Sequence, residues 1–244
     1  MALFVHLRDR ADRDLTAFEY LPPFALEIAL RHAEGTVRPL AGDHAAYALV
    51  EVSSCRPGSD ARHELETALG EALEQGLIED AAIAAGGAQN DALWRLREAV
   101  PEAQTREGGS IKHDVSVPLA RLPDFLDRAS AACIAAMPGL RPCGFGHFGD
   151  GNIHFNLTQP VGMDRAAFLG HWERFNRIVH DIVHEMGGSI AAEHGVGLIK
   201  RDELARYASP VALDLMRRLK ETLDPRGLLN PGKVVPPGDD IHSL

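Results

Sequence analysis

The spacing of apolar positions along the chain alternates between a period of two and a period near 3.6, which predicts interleaved strands and helices. Strands are predicted where β-branched and other apolar residues cluster, at residues 47–53, 78–84 and 111–117. Helices are predicted where apolar residues recur every third or fourth position. They lie at residues 12–34, interrupted by Pro22-Pro23, then at 61–76 with Asp60 as N-cap, 90–101, 122–137, 164–186, 198–207 and 210–223.

A β-hairpin is predicted within residues 144–156, which read GFGHFGDGNIHFN. Asp150-Gly151 is a typical two-residue loop, because a type I′ turn needs positive φ at both central residues. In that register His147 stands opposite His154, with Cβ atoms about 5 Å apart, and Asn156 lies on the same face. This spacing suits two ligands of one metal ion. The alternative is an ordinary hairpin with two exposed histidines.

A second stretch, residues 187–197, reads GGSIAAEHGVG and carries Glu193 and His194 between glycines. One carboxylate and two imidazoles form a common ligand set for zinc or a similar divalent ion, and they leave coordination positions open for substrate. The flanking glycines allow the backbone to come close to a ligand.

These elements predict an α+β fold, because the central pair of strands is a hairpin and part of the sheet must therefore be antiparallel. We expect an antiparallel sheet covered by helices on one face, followed by a helical C-terminal extension. The predicted division is a substrate or cap domain at residues 1–190 and a C-terminal helical segment at residues 191–244. The sequence contains no phosphate-binding glycine motif of the GxGxxG or Walker type.

Composition narrows the possible functions. The chain has 244 residues, 45% of them hydrophobic, and a net charge of -10, which argues against a nucleic-acid surface. The three cysteines, Cys55, Cys133 and Cys143, lack metal-type spacing, and their number is odd. No apolar run approaches the roughly 18 residues of a transmembrane helix, and no signal peptide is recognisable. We therefore expect a cytoplasmic protein.

Three motifs in this order resemble the C-terminal half of the FAD-linked oxidases of the vanillyl-alcohol oxidase superfamily. They are GHFGDGNIH at residues 146–154, EHGVG at 193–197 and LDPRGLLNPGK at 223–233. The similar proteins are of the D-2-hydroxyacid dehydrogenase type, which includes D-2-hydroxyglutarate and D-lactate dehydrogenases and glycolate oxidase subunits. WRLRE at residues 94–98 and KHDVS at 112–116 fit the hydroxyglutarate branch. The resemblance extends over nearly the whole chain.

The resemblance implies flavin-dependent oxidation of a D-2-hydroxy acid to a 2-oxo acid. Family members carry an N-terminal FAD-binding domain before the region seen here. The chain is therefore expected to be a fragment or a truncated product that works with such a domain or with a separate flavin subunit. FAD would be held mostly by that partner, and this chain alone would bind little. A homodimer is a candidate assembly, and the electron acceptor is not indicated.

The resemblance also implies residue roles. His147, His154 and Glu193 correspond to metal ligands, with zinc as the usual metal and manganese or iron as alternatives for the same donor set. His194 corresponds to the general base that takes the hydroxyl proton while hydride passes to flavin. Histidine suits this role because its pKa lies near neutral pH.

Further positions match substrate and cofactor residues of the family. Arg97 and Lys112 correspond to cations that bind the far carboxylate of a dicarboxylic substrate, although either one alone could equally be a solvated surface cation. Asn156 corresponds to a substrate-contacting amide or is an ordinary strand-end residue. Asn230 and Lys233 lie in the tail that approaches flavin in relatives, and Asn-Pro-Gly is also a plain turn.

Two positions depart from the hydroxyglutarate pattern. Pro101 stands where a threonine usually helps to bind the far carboxylate, and His113 replaces a common tyrosine. Two alternatives to the dehydrogenase remain at this point. One is an inactive metal-binding or interaction module of the same fold. The other is a metal-dependent hydrolase, against which stands the placement of the histidines on a hairpin instead of a helical HExxH motif.

Overall fold

Five strands form one sheet in a computed structural model that describes residues 1–236. The sheet order is β2-β1-β4-β5-β3, and every neighbouring pair is antiparallel. The strands are β1 Leu15–Leu21, β2 Tyr47–Val52, β3 Ser110–Ser116, β4 Arg141–His147 and β5 Asn152–Thr158. The α-helices of the described part are α1 Ala2–Ala11, α2 Pro23–His32, α3 Ala61–Glu74, α4 Gly87–Glu98, α5 Val100–Arg106, α6 Leu122–Ala136, α7 Arg165–Leu169, α8 Trp172–Glu185, α9 Arg201–Tyr207 and α10 Pro210–Leu223.

The predicted α+β fold with an antiparallel sheet is confirmed. The larger hydrophobic core lies between one sheet face and helices α1, α3, α6 and α8, and Phe155 of β5 belongs to it. A smaller core lies on the opposite face, where helices α2, α4 and α5 cover Phe145 of β4. The expectation of helices on one face alone was therefore incomplete. Because the central strands direct apolar side chains to both faces, each face needs a helical cover.

The first half of the helix predicted at residues 12–34 is wrong. Residues Leu15–Leu21 form β1, which pairs with β2 from Leu21 opposite Tyr47 to Leu15 opposite Val52. Phe18 and Tyr20 point to the same face with period two. Helix α2 begins only at Pro23, where a proline in the first turn costs no hydrogen bond.

Other elements also differ from the predictions, among them helices α1 and α5, which the sequence analysis did not predict. Residues 78–84 form no strand, consistent with their high alanine content and low β-propensity. The long helix predicted at residues 164–186 is divided into α7 and α8 around Gly170, and Asp164 caps α7 by accepting a hydrogen bond from the Ala167 amide. The N-cap predicted at Asp60 is confirmed, since its side chain accepts from the His63 amide.

Within residues 1–236, no helix combines the length and the apolar character that a membrane crossing requires.

Candidate metal centre and active site

The hairpin places its two histidines on the same sheet face, but in a different register from the predicted one. Phe145, not His147, stands opposite His154, and Cys143 stands opposite Asn156. The connection is longer than two residues, because a 3-10 turn at Phe148–Asp150 precedes Gly151, which has a φ of 79°. A shift by two residues preserves the face of each side chain. The rings of His147 and His154 consequently lie diagonally, with centroids 5.8 Å apart.

Glu193 reaches both imidazoles from the loop that follows α8. Its Oε1 lies 3.1 Å from His154 Nε2, and its Oε2 lies 3.7 Å from His147 Nε2. Donor atoms about 2.1 Å from one zinc ion at the tetrahedral angle stand about 3.4 Å from each other. The two distances from Glu193 are therefore close to the separation of donor atoms around a single ion.

Asp114 holds the loop that carries Glu193 and His194. Its Oδ2 accepts hydrogen bonds from the backbone amides of Ala192, Glu193 and His194, at 3.2, 3.0 and 2.8 Å. Burial alone would raise the pKa of the Asp114 carboxyl, but the amides of His194 and Glu193 and the nearby positive charges lower it below its usual value. The loop is also joined to the end of β3 by an antiparallel bridge between Ser116 and Ser189.

Close approach of this loop to the sheet depends on glycine. A Cβ atom on Gly188 would collide with the Ser116 carbonyl oxygen. The glycine preceding the bridge therefore lets the loop lie directly against β3, which brings Glu193 over the hairpin histidines.

His194 lies beside the same cluster and is the most exposed member, with 65% of its side chain accessible. Its ring stacks on that of His154 with centroids 5.5 Å apart, and its Nε2 lies 3.7 Å from Glu193 Oε1. One ligand atom from each of Asp114, His154, Glu193 and His194 fits within a mutual separation of 4.8 Å. His147 is not a member of this tighter group, although its Nε2 lies 3.7 Å from Glu193 Oε2.

Glu19 is a buried carboxylate that the sequence analysis missed. It lies on β1 directly opposite His147 and is 2% exposed. Its Oε1 is 2.6 Å from His147 Nδ1, and its Oε2 accepts a 2.5 Å hydrogen bond from Arg97 Nε. The region was read as helix, so neither its strand geometry nor this pairing was predictable from the local pattern.

Arg97 is buried beside His154 on the sheet face that carries the histidines, not solvated. Its guanidinium lies 5.0 Å from the centre of the Phe145 ring, and the residue is 8% exposed. Burial is the main cause that lowers the pKa of His154, and the positive charge of Arg97 lowers it further. A neutral imidazole at His154 is the form that binds a metal.

Lys112 and Asn156 are paired across β3 and β5, yet their settings differ. Lys112 is exposed, whereas Asn156 is buried and donates to Gln104 Oε1 at 2.8 Å. Gln104 in turn donates to the Thr158 hydroxyl at 2.8 Å. The Oδ1 atom of Asn156 is buried without a hydrogen-bond partner in residues 1–236. Gln104 was not predicted, because an amide on a short helix gives no sequence signal of its own.

Lys200 is another residue of this region that the sequence analysis did not predict. Its ammonium donates to the Ile190 carbonyl at 2.8 Å and the Asp114 carbonyl at 3.1 Å, so it joins the loop to β3. Burial lowers the pKa of Lys200, and the Asp114 carboxylate partly offsets that effect.

Asn230 and Lys233 lie in a turn on the exposed side of the loop. The Lys233 amide donates to the Asn230 carbonyl at 3.3 Å, and the next residue, Val234, donates to the Gly197 carbonyl at 2.7 Å. Both side chains are exposed. The tail is thus attached to the glycine-rich loop, but no contact joins these two side chains to the histidine cluster in the described residues.

Comparisons with known proteins identify the family of this chain. A family model described as "FAD linked oxidases, C-terminal domain" matches residues 1–234. D-2-hydroxyglutarate dehydrogenase of Xanthomonas citri pv. viticola is 38% identical over 92% of this chain and 47% of its own length. The mitochondrial D-2-hydroxyglutarate dehydrogenase of Arabidopsis thaliana is 34% identical over 99% of this chain and 41% of its own length.

Solved structures share the fold at low sequence identity. A 4-ethylphenol oxidase from Gulosibacter chungangensis aligns with a TM-score of 0.52 and 16% identity, over 91% of this chain and 48% of that chain. The chain spans less than half the length of the two dehydrogenases. It belongs to the FAD-linked oxidase family and corresponds to that family's C-terminal domain.

Proposed function

We propose that this chain is the metal- and substrate-binding part of a flavin-dependent dehydrogenase that oxidises a D-2-hydroxy acid to a 2-oxo acid. The observation that carries the proposal is the convergence of Glu193 on His154 and His147 from separate parts of the chain. The two relatives named above are D-2-hydroxyglutarate dehydrogenases, which supports the same reaction class.

His147, His154 and Glu193 would hold a divalent metal ion. Two imidazole nitrogens and a carboxylate suit zinc, and manganese or iron accept the same donors. Glu19 satisfies the other ring nitrogen of His147, as is usual for a metal-bound histidine. A metal ion bound here would act as a Lewis acid on the substrate hydroxyl and α-carboxylate.

His194 would accept the hydroxyl proton at a ring nitrogen. Its exposed ring stacks on His154, so it lies next to the proposed ligands while remaining open to a substrate. Asp114 fixes its backbone amide, which limits movement of the base. FAD, when bound, would supply the hydride acceptor, and Asn230 and Lys233 are the proposed contacts of this chain with it.

The proposed substrate carries a second carboxylate, as in D-2-hydroxyglutarate or D-malate, and is favoured over D-lactate. Arg97 would bind that carboxylate through its terminal nitrogens, since its Nε is engaged by Glu19. Lys112 would add an exposed cation from β3, and Asn156 an amide from β5. The proline at residue 101 removes a hydroxyl that the resemblance would have placed among these groups.

The remaining proposals concern organisation. Residues 1–190 would form the substrate domain, and residues 191–244 would contact an FAD-binding domain or flavin subunit; residues 237–244 of that segment lie outside the described structure. A cytoplasmic location and a homodimer remain proposals as well.

Elemental analysis of the purified chain tests the metal site. We expect about one divalent ion per chain, predominantly zinc, and its clear loss in His154→Ala. His63→Ala is the matched control, because His63 is exposed on α3. Full metal occupancy in His154→Ala would contradict the assignment. Metal binding without D-2-hydroxy acid oxidation, after reconstitution with the flavin-binding part, would instead favour the inactive binding module.

A further inference from the structure

We propose that Glu19 is a positioning residue that orients His147 for metal binding and Arg97 for substrate binding through the two oxygens of one carboxylate. The proposal deepens the proposed function and rests on it for the identity of the two sites. Its structural basis is that Glu19 lies on β1, outside all of the sequence motifs, and is almost fully buried between the two groups.

The contact with His147 defines which ring nitrogen carries the proton. The oxygens of the Glu19 carboxylate accept hydrogen bonds, one of them from Arg97 Nε. At 2.6 Å from Glu19 Oε1, Nδ1 of His147 must therefore be the donor. The Nε2 atom is then left with its lone pair in the neutral ring, and this atom faces Glu193.

This tautomer creates a gap that a cation fits. His147 Nε2 and Glu193 Oε2 are then both acceptors, and at 3.7 Å they are too far apart for a hydrogen bond. Two facing acceptors repel each other unless a positive ion lies between them. Glu19 thus prepares one side of the metal site before any ion binds.

The second oxygen of Glu19 directs Arg97. The Nε hydrogen bond and the face of Phe145 hold the guanidinium on two sides. In residues 1–236, the Nη1 and Nη2 atoms of Arg97 make no hydrogen bond, and the ion pair of Arg97 with Glu19 is closest at Nε. The terminal fork is thus available to a carboxylate, in the planar geometry that Arg provides. A single buried carboxylate consequently sets the distance and direction between the metal site and the cation.

Zinc titration of Glu19→Gln tests the first half of the proposal. Competition with a chromophoric chelator should show an affinity for Zn²⁺ about 10- to 100-fold weaker than in the unmodified chain. Glu107→Gln is the matched control, since Glu107 also joins a histidine and arginines but lies at the opposite end of β4. Its zinc affinity should be unchanged.

Nitrogen-15 NMR of the metal-free chain provides a readout that a purely structural role would not move. The His147 ring should be the Nδ1–H tautomer in the unmodified chain and shift towards a tautomer mixture in Glu19→Gln. An Nε2–H tautomer in the unmodified chain would overturn the inference. This result is independent of zinc, so failure of the metal assignment alone remains distinguishable.

A second pair of variants guards against misfolding, because removal of Glu19 leaves a buried cation unpaired. Arg97→Met removes that cation, and the affinity of the double variant Arg97→Met/Glu19→Gln is compared with that of Arg97→Met alone. We expect the same 10- to 100-fold loss of zinc affinity between these two. Equal affinities would refute a positioning role for Glu19.

Discussion

The two ends of β4 carry the same chemical trio in different settings. At one end, Glu107 joins His32 at 2.7 Å and Arg141 at 2.5 Å. At the other end, Glu19 joins His147 and Arg97 at similar distances. A largely buried carboxylate between a histidine and an arginine therefore does not by itself indicate an active site.

The two ends differ in which hydrogen-bonding atoms remain unpaired after folding. Arg141 also donates to the backbone carbonyls of Gln159 and Glu107, which engages its fork within the fold. The terminal nitrogens of Arg97, by contrast, make no hydrogen bond in residues 1–236, and Nε2 of His147 faces Glu193. Hydrogen-bonding groups that remain unpaired after folding distinguish the Glu19 end of β4 from the Glu107 end.

The largest expected effect concerns the two arginines. In the enzyme assembled with its flavin-binding part, Arg97→Met should lower kcat/KM for D-2-hydroxyglutarate and D-malate by about 10- to 150-fold, equivalent to the roughly 1.5–3 kcal/mol of a charged hydrogen bond. D-Lactate, which lacks a second carboxylate, should be little affected. Steady-state kinetics with the three acids measures this.

Arg141→Met is the matched variant at the other end of β4, and it should leave the ranking of the three substrates unchanged. An equal loss for all three acids in Arg97→Met would show that Arg97 does not recognise the far carboxylate. A short 2-hydroxy acid would then be the better substrate.

The next effect concerns the loop of Glu193 and His194, which lies at the His147 end of β4. Asp114→Asn should weaken Zn²⁺ affinity by about 10- to 100-fold, because the amide group cannot accept from the three backbone N–H groups as the carboxylate does. Chelator competition measures the affinity. Asp181→Asn is the control, since Asp181 accepts from the Tyr207 hydroxyl away from the loop. Unchanged affinity in Asp114→Asn would contradict the role of this carboxylate in holding the ligands.

The smallest effect concerns the group of Glu107, His32 and Arg141. Glu107→Gln should lower the free energy of unfolding by about 1–2 kcal/mol at pH 7, by loss of charged hydrogen bonds. Urea denaturation measures the change, and the affinity for zinc should be unchanged.

The stabilisation by Glu107 should also depend on pH. Burial alone would raise the pKa of the Glu107 carboxyl, but hydrogen bonds from His32, Arg141 and Arg31 lower it from 4.5 to about 2. Since the folded-state pKa is below the unfolded value, the stabilisation is complete above pH 4.5 and is lost as pH falls towards 2. The difference in the free energy of unfolding between the unmodified chain and Glu107→Gln should narrow over that interval. A constant difference would show that Glu107 is not the titrating group.

Part of the site could be predicted because the alternation of side chains between the two faces of a strand is unaffected by a register error of two residues. The register of the hairpin was wrong by two residues, yet His147 and His154 kept the predicted face, since a strand repeats every second residue. Glu193 was identifiable from its motif, and its distance to both rings depends on a loop whose path no local pattern specifies.

Glu19 and Asp114 could not be assigned for a different reason. Glu19 lies in a segment read as helix, and its partners are 78 and 128 positions away in the sequence. Asp114 was visible within the KHDVS motif, but its three amide donors lie about 80 positions further along. The role of a buried charge depends on the distant residues with which it pairs, and a single sequence does not show which residues these are.

The bridge between Ser116 and Ser189 has a consequence for the thermodynamics of ligand binding. It makes the loop of Glu193 and His194 an extension of the sheet, anchored further by Lys200. Fixing the backbone of a free loop costs roughly 1–2 kcal/mol of conformational entropy per residue. Here that loss occurs when the chain folds, so an ion or substrate meets a loop that is already ordered.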